Sequence, residues 1–199
     1  MAGDDTHLTA FLILGPEGSG SAFIAKTISY AIGHCRRFGE WHGHGYNSDL
    51  GSETMVLHRS LPHKDPKVGY RREDGTPTTR EERKRFLTTF DEAKRELPGY
   101  RTINTILTTR DRHISIYGKR KRFGGSLAEN ARDFEVAAPL FAAVVADDST
   151  FIWSYETMLL IGAPYFHRLY RFFGIESEFV PEFHDGNRPY IIDPHEDEA

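Results

Sequence analysis

The chain has 199 residues, of which 39% are hydrophobic and 27% charged, and its formal net charge is −4 at pH 7. That apolar content suffices to build a folded core at this length, so a wholly disordered chain is excluded. The negative balance does not support nonspecific nucleic-acid binding as the main role. A single domain over residues 1–199 is expected, with residues 64–79 as an exposed insertion and residues 195–199 as a frayed tail.

The sequence carries no pattern typical of a membrane or secreted protein. Its longest nearly uncharged apolar run, residues 137–146, is about half of the ~20 residues that a membrane-spanning helix needs. The first residues are acidic, whereas a secretory signal begins with basic residues. Cys35 is the only cysteine, which excludes an intramolecular disulfide and any multi-cysteine zinc site. These features predict a cytoplasmic protein with no membrane partner.

The first informative segment predicts a strand, a glycine-rich turn and a helix. The apolar residues 10–14 are typical of a buried strand, and residues 15–21 form the turn that follows it. Gly33 is a suitable end for the helix. One face of that helix carries Phe23, Ile24, Thr27, Ile28 and Ala31.

The rest of the chain continues this alternation of strands and helices. Further strands are predicted at residues 54–57, 102–108 and 150–153. Helices are predicted at residues 79–97, around Ile114 to Tyr117, at residues 126–146 with its continuity at Pro139 left open, and from residue 155 to Phe173. Such alternation predicts a three-layer α/β sandwich, in which helices cover both faces of a central parallel sheet.

The turn between the first strand and the first helix is a candidate anion site. In parallel α/β folds, ligands bind beyond the carboxyl ends of the strands, and glycines let backbone N–H groups approach a phosphate. An ordinary tight turn, with Ser19 or Ser21 capping the helix, is the alternative. A nucleotide kinase would carry Lys and then Ser or Thr after Gly20, whereas this chain has Ser21 and Ala22. The candidate binding residues are Gly15, Pro16, Glu17, Gly18, Ser19, Gly20 and Ser21.

Three segments together resemble the sulfotransferase family. They are Gly-Pro-Glu-Gly-Ser-Gly-Ser at residues 15–21, Arg-Asp-Arg-His-Ile-Ser at residues 110–115, and Trp-Ser-Tyr-Glu-Thr-Met-Leu at residues 153–159. The resemblance implies a P-loop-like fold and 3′-phosphoadenosine 5′-phosphosulfate as the sulfuryl donor. It also implies that residues 15–21 hold the donor's 5′-phosphosulfate, while Arg110 and Ser115 hold its 3′-phosphate.

The sequence departs from the family pattern in two ways. Members usually carry a Lys or Arg in the first loop, where this chain has Glu17 and Gly18. They also separate the Arg and Ser of the second element by more residues, which makes Ser115 the less secure match. Arg59 and Arg188 are candidates for the substitute cation, and Arg188 is assigned to donor binding because it lies in a late turn.

The catalytic candidates are His58 and Ser60. Sulfuryl transfer needs a base that takes the acceptor proton. In the family, a His often follows the second core strand within a Thr-His-Leu-Pro-like sequence, and this chain has His-Arg-Ser-Leu-Pro at residues 58–62. Residues 58 and 60 share a face if the segment is extended. The alternatives are a structural His58 and a turn hydroxyl at Ser60.

The expected function is therefore sulfuryl transfer to a hydroxyl or amine of a small molecule or glycan, with no metal and no nucleic-acid partner. His42, His44 and Asp49 lie among glycines, which impose no fixed ligand geometry. The basic run 119–122 is either a solvated helix face or a positive site for the donor. The alternative functions are a P-loop nucleotide or small-molecule kinase and a non-catalytic domain that binds a nucleotide or a partner.

Overall fold

The computed structural model describes residues 8–40, 53–61, 89–95 and 97–190. Within these residues, four parallel strands form one sheet in the order β2-β1-β3-β4. The strands are β1 (Thr9–Pro16), β2 (Thr54–Leu61), β3 (Thr102–Thr109) and β4 (Thr150–Ser154). The predicted parallel sheet is confirmed.

Helices follow the strands in the described part of the chain. They are α1 (Ser21–Ala31), α2 (Phe90–Lys94), α3 (Arg112–Phe123), α4 (Leu127–Val145), α5 (Tyr155–Ile161) and α6 (Ala163–Phe173), and a 3₁₀ turn spans Arg188–Tyr190. None of these helices is both long enough and apolar enough to cross a membrane.

The core lies on both faces of the sheet, because side chains alternate along each strand. Phe11, Ile13 and the buried residues that share their face pack against α1, α5 and α6. Leu12, Leu14 and their neighbours pack on the other face, against α2 and α4. The molecule is therefore a three-layer α/β sandwich, and the strand β1, the loop 15–21 and the helix α1 form its P-loop-like unit.

The strand order places a topological switch point at the carboxyl ends of β1 and β3. From β1 the chain passes through α1 to β2 on one side, whereas from β3 it continues to β4 on the other side. The chain therefore continues from β1 and from β3 in opposite directions along the sheet. Ligands of open α/β sheets bind at such switch points.

Three predicted boundaries are wrong. The first strand does not end at residue 14 but continues to Pro16, so Gly15 and Pro16 lie in β1 and only residues 17–20 form the turn before α1. The second strand does not end at residue 57 but continues to Leu61, because residues 58–61 extend the parallel ladder along β1. His58 and Ser60 thus lie within β2. The helix predicted over residues 79–97 does not run through Thr89, which is extended and whose side chain accepts a hydrogen bond from the Glu92 N–H. This cap begins α2 at Phe90.

In the later helices, a proline leaves one helix continuous and a glycine divides another. The helix α4 is continuous through Pro139, which is exposed. The single helix predicted from residue 155 to Phe173 is divided at Gly162, whose φ of 68° and ψ of −137° are not helical. Gly33 and Gly174 have positive φ after α1 and α6, as predicted for helix ends. The predicted insertion 64–79 and tail 195–199 lie outside the described residues.

Candidate functional site

The loop 15–21 is fixed against the end of β3. Thr108 donates its one hydroxyl hydrogen to the Leu14 carbonyl at 3.2 Å. In the second bond, with 2.7 Å between Ser19 Oγ and Thr108 Oγ1, Ser19 is therefore the donor. Ser19 and Thr108 are both fully buried. A Cβ on Gly15 would lie 2.6 Å from Ser19 Oγ and 2.8 Å from the Thr108 carbonyl oxygen, so only glycine fits. The close approach of β1, the loop and β3 explains why position 15 is a glycine.

The loop has the positive-φ glycines and the uncapped helix start that anion-binding turns use. Gly18 and Gly20 have φ of 84° and 87°, the left-handed conformation in which successive N–H groups can converge. The first bond at the start of α1 runs from the Ile24 N–H to the Gly20 carbonyl at 3.1 Å, and no side chain caps this end. The N–H groups in the first turn therefore have no intrahelical acceptor, and the helix dipole adds partial positive charge.

The predicted base lies beside this loop. His58 Nε2 is 2.8 Å from the hydroxyl oxygen of Ser21, the first residue of α1, and both side chains are buried. Ser60 is half-buried and pairs in register with Gly15, at the point where the loop begins. The structure therefore brings His58 and Ser60 to the same end of the sheet as the glycine-rich turn.

Arg110 joins the loop to the segment near the end of the described chain. Its Nη1 donates to the Gly18 carbonyl at 2.7 Å, its Nε to Asn187 Oδ1 at 2.6 Å, and its Nη2 to the Gly186 carbonyl. All three nitrogens of the guanidinium thus bind protein oxygens. The second predicted anion site, at Arg110, is in direct contact with the first.

Two tyrosine rings lie near this guanidinium, and further hydrogen bonds hold the segment that it contacts. The rings of Tyr155 and Tyr190 have their centres 4.6 Å and 5.5 Å from its central carbon. Tyr155 accepts a hydrogen bond from the Gly186 N–H at 2.9 Å and donates to the His184 carbonyl at 3.0 Å. Glu156 accepts from the Asn187 side-chain amide at 3.1 Å. We call residues 184–190, which these contacts hold against the loop, the C-terminal strap.

Lys119 forms a buried ion cluster with the loop. Its Nζ lies 2.9 Å from Glu17 Oε2 and is hydrogen-bonded to Asp133 Oδ2. Only 4% of the Lys119 side chain is exposed. The sequence grouped Lys119 with residues 120–122 as one basic run, but only those three are exposed. The interpretation of the run as a solvated helix face is wrong for Lys119, because this residue lies one turn after the buried Ser115 on the inner face of α3.

The other predicted binding residues differ in their surroundings. Ser115 is fully buried beside Gly18, and its hydroxyl has no hydrogen-bond partner among the described residues. Arg188 is exposed in the 3₁₀ turn. Arg59 is buried, donates to the His58 carbonyl at 3.1 Å, and by strand alternation points to the sheet face opposite His58. Arg188 is therefore the better placed of the two substitute cations for a ligand from solvent.

Several residues of the site were not predicted from the sequence. Thr108 and Asn187 contact the predicted residues Ser19 and Arg110 from distant parts of the chain. Glu156 contacts Asn187, and Asp133 contacts Lys119, which was also not predicted as a site residue. The only local signal for Thr108 was a polar residue two positions before Arg110, and the only one for Lys119 was a lysine four positions after Ser115. Within the described ranges, no three side chains of His, Cys, Asp or Glu gather as metal ligands, and His42, His44 and Asp49 lie outside those ranges.

Comparison with known proteins gives no family for this arrangement. No protein-family model matches the chain, and searches of curated proteins and of solved structures give no match. The function is therefore inferred from the loop, from the His58 pair and from the surroundings of Arg110.

Proposed function

We propose that the protein transfers a sulfuryl group from 3′-phosphoadenosine 5′-phosphosulfate to a hydroxyl or amine of a small molecule or glycan. The observation that carries this proposal is the 2.8 Å hydrogen bond between His58 Nε2 and Ser21 Oγ. It supports a role for His58 as a proton acceptor at the edge of an anion-binding loop. Transfer chemistry needs those two features side by side.

The donor would bind beyond the carboxyl ends of β1 and β3, at the switch point of the sheet. Its 5′-phosphosulfate would accept hydrogen bonds from the loop 15–21 and the first turn of α1. Its 3′-phosphate would approach Arg110, which uses one N–H on each nitrogen in the contacts described and has five in all. The exposed Arg188 would add a second positive charge from the C-terminal strap.

The reaction would be an in-line displacement at sulfur. The acceptor oxygen or nitrogen forms a bond to sulfur, and the bond from sulfur to the 5′-phosphate oxygen breaks. 3′-Phosphoadenosine 5′-phosphate then leaves with that electron pair. His58 Nε2 takes the acceptor proton, which requires the tautomer in which Nε2 has no hydrogen. In that tautomer Ser21 donates its hydroxyl hydrogen to Nε2, and the acceptor hydroxyl would replace this donor.

The test is binding of 3′-phosphoadenosine 5′-phosphate, followed by turnover of the donor. At a hundredfold excess over its Kd, the bisphosphate should stabilise the fold by about 2.7 kcal/mol, which thermal unfolding detects. ATP serves as the matched control ligand. A thermal shift with ATP alone would replace the proposal with a kinase.

Turnover separates the enzyme from a binding domain. Release of the bisphosphate from the labelled donor, in the presence of a panel of hydroxyl and amine acceptors, is expected for a sulfotransferase. Tight binding of the bisphosphate with no transfer to any acceptor would favour a non-catalytic nucleotide-binding domain.

A further inference from the structure

We propose that Lys119 is a positioning residue that makes the loop 15–21 competent to bind an anion, by neutralising Glu17. This proposal rests on the proposed anion site. It assigns a role to a buried lysine that comes from α3 and lies outside the loop itself.

Glu17 is the only ionisable side chain in the loop. An unpaired carboxylate there would repel a phosphate or phosphosulfate, and repulsion between charges a few ångströms apart is strong where water is excluded. The carboxylate instead lies 2.9 Å from Lys119 Nζ, with only 16% of the Glu17 side chain exposed. Because the loop has no cation of its own, its anion affinity depends on this neutralisation.

The packing of α3 fixes where that neutralisation occurs. The Ser115 carbonyl oxygen is 3.9 Å from the position of a Cβ on Gly18, so the first turns of α3 lie along the loop. Lys119 is one turn further and meets Glu17, the residue before Gly18. The carboxylate of Glu17 is therefore held on the α3 side, while the N–H groups in the first turn of α1 stay available to a ligand.

Asp133 holds the ammonium group from the other side. It belongs to α4, is 8% exposed, and accepts a hydrogen bond from Lys119 Nζ. Asp133 thus orients Lys119 but belongs to no part of the loop. Removing the charge of Asp133 and removing the charge of Lys119 both disturb the buried cluster, but only the loss of Lys119 leaves Glu17 unneutralised. Substitutions at the two positions therefore distinguish an electrostatic role of Lys119 from a purely structural one.

The experiment measures the Kd of 3′-phosphoadenosine 5′-phosphate and of inorganic pyrophosphate by calorimetry. The variants are Lys119→Met, Asp133→Asn, Glu17→Gln and the double variant Lys119→Met with Glu17→Gln. Arg132→Met, at an exposed position beside Asp133, controls for the loss of one positive charge. Thermal unfolding without ligand reports whether each variant folds.

Lys119→Met should weaken binding of both anions about tenfold or more, and the double variant should restore the Kd to within about threefold of the wild type. Asp133→Asn should bind no more weakly than the wild type, because Lys119 still faces Glu17. Equal weakening by Lys119→Met and Asp133→Asn, or no rescue in the double variant, would overturn the proposal.

Three further outcomes are decisive. If Lys119→Met does not fold, Glu17→Gln decides alone: tighter binding supports the proposal, and binding that is unchanged or weaker overturns it. If the wild type binds pyrophosphate but not the bisphosphate, the proposed donor is wrong, and the role of Lys119 is decided on pyrophosphate. If the wild type binds neither anion, both proposals are wrong.

Discussion

His58 is the residue on which the proposed chemistry depends most directly. It is buried in β2 with its Nε2 bonded to Ser21, so its removal should slow proton transfer without opening the loop. Positioned bases contribute about 10²- to 10⁴-fold, and we expect His58→Ala to lower kcat by at least about 10²-fold. The donor Kd should stay within about threefold of the wild type, because the loop N–H groups are unchanged.

Steady-state kinetics and calorimetry check this prediction, with His167→Ala as the matched control. His167 lies on α6 beside Glu178, on an element that does not contribute to the loop. A near-normal kcat in His58→Ala, together with a collapse of kcat in His42→Ala or His44→Ala, would transfer the role of base to those residues and make His58 structural.

Gly15 is the residue whose identity the packing dictates most strictly. In Gly15→Ala the new methyl group would meet Ser19 Oγ at 2.6 Å and the Thr108 carbonyl at 2.8 Å, and the carbonyl belongs to the β3 ladder. Overpacking of this kind costs about 1–3 kcal/mol of unfolding free energy. Urea denaturation should show that loss.

Gly118 provides the matched control for Gly15. It lies inside α3, where an added Cβ would be 3.6 Å from the nearest atom of the Tyr190 ring, which is ordinary contact. Gly118→Ala should therefore raise the unfolding free energy by up to about 1 kcal/mol, since alanine is the better helix former. Equal effects at the two positions would contradict the geometry at Gly15.

At the scale of elements, the sequence predicted the strands and helices well and their internal breaks poorly. The helix α4 tolerates Pro139 because both Pro139 and Glu135, four residues earlier, are exposed, so the carbonyl that loses its partner faces solvent. Periodicity alone does not give the orientation of a proline on its helix. The extension of β2 past residue 57 likewise depends on its neighbour β1, which runs to Pro16.

The contact between α2 and the turn after α4 carries a prediction on pH. Lys94 Nζ donates to Asp147 Oδ2 at 2.7 Å, and this bond, followed by one from Ser149, lowers the pKa of Asp147 from 3.8 to about 2. The lowered pKa stabilises the fold above about pH 4, and this stabilisation is lost as the pH falls towards 2. The side chains are 31% and 24% exposed, so solvent screening limits the contribution to below about 1 kcal/mol.

Asp147→Asn tests this contact, because the amide oxygen can still accept from the Ser149 N–H while the charge is removed. Urea denaturation should show the variant to be less stable than the wild type at about pH 7, with the difference shrinking below about pH 4. The control is Asp148→Asn at the exposed neighbouring position. A difference that is constant with pH would mean that the ion pair does not contribute.

At the scale of the whole molecule, the site is assembled from segments that no local pattern connects. The loop 15–21 and His58 could be predicted because each carries its own signal, a glycine-rich turn and a histidine beside a strand. The partners of Arg110 could not, since Asn187 is 77 residues away in the sequence and Gly18 is 92 residues away. A basic residue at a strand end predicts a positive charge near the sheet edge. It does not predict whether that residue donates its hydrogen bonds to protein oxygens or to ligand oxygens.

Arg110 is the residue that ties these segments into one unit. Arg110→Ala removes its three hydrogen bonds and leaves the Gly18 and Gly186 carbonyls without this donor. Bonds from a charged donor are worth about 1.5–3 kcal/mol each and are not additive, so the C-terminal strap should lose protection from hydrogen exchange about tenfold or more. The reporting amides are those of Gly186, Asn187 and Tyr190, which are hydrogen-bonded in the structure.

Hydrogen exchange followed by mass spectrometry measures this effect, and Arg112→Ala is the matched control because its 3.7 Å pair with Glu135 lies on the exposed surface. Arg110→Lys should recover little protection, since a single ammonium group cannot reproduce the planar three-way geometry of the guanidinium. In separate titrations, Arg110→Ala should also weaken binding of the bisphosphate more than binding of adenosine 5′-phosphosulfate, which lacks the 3′-phosphate. Unchanged exchange in the strap, together with equal losses for the two ligands, would mean that Arg110 neither holds the strap nor recognises the 3′-phosphate.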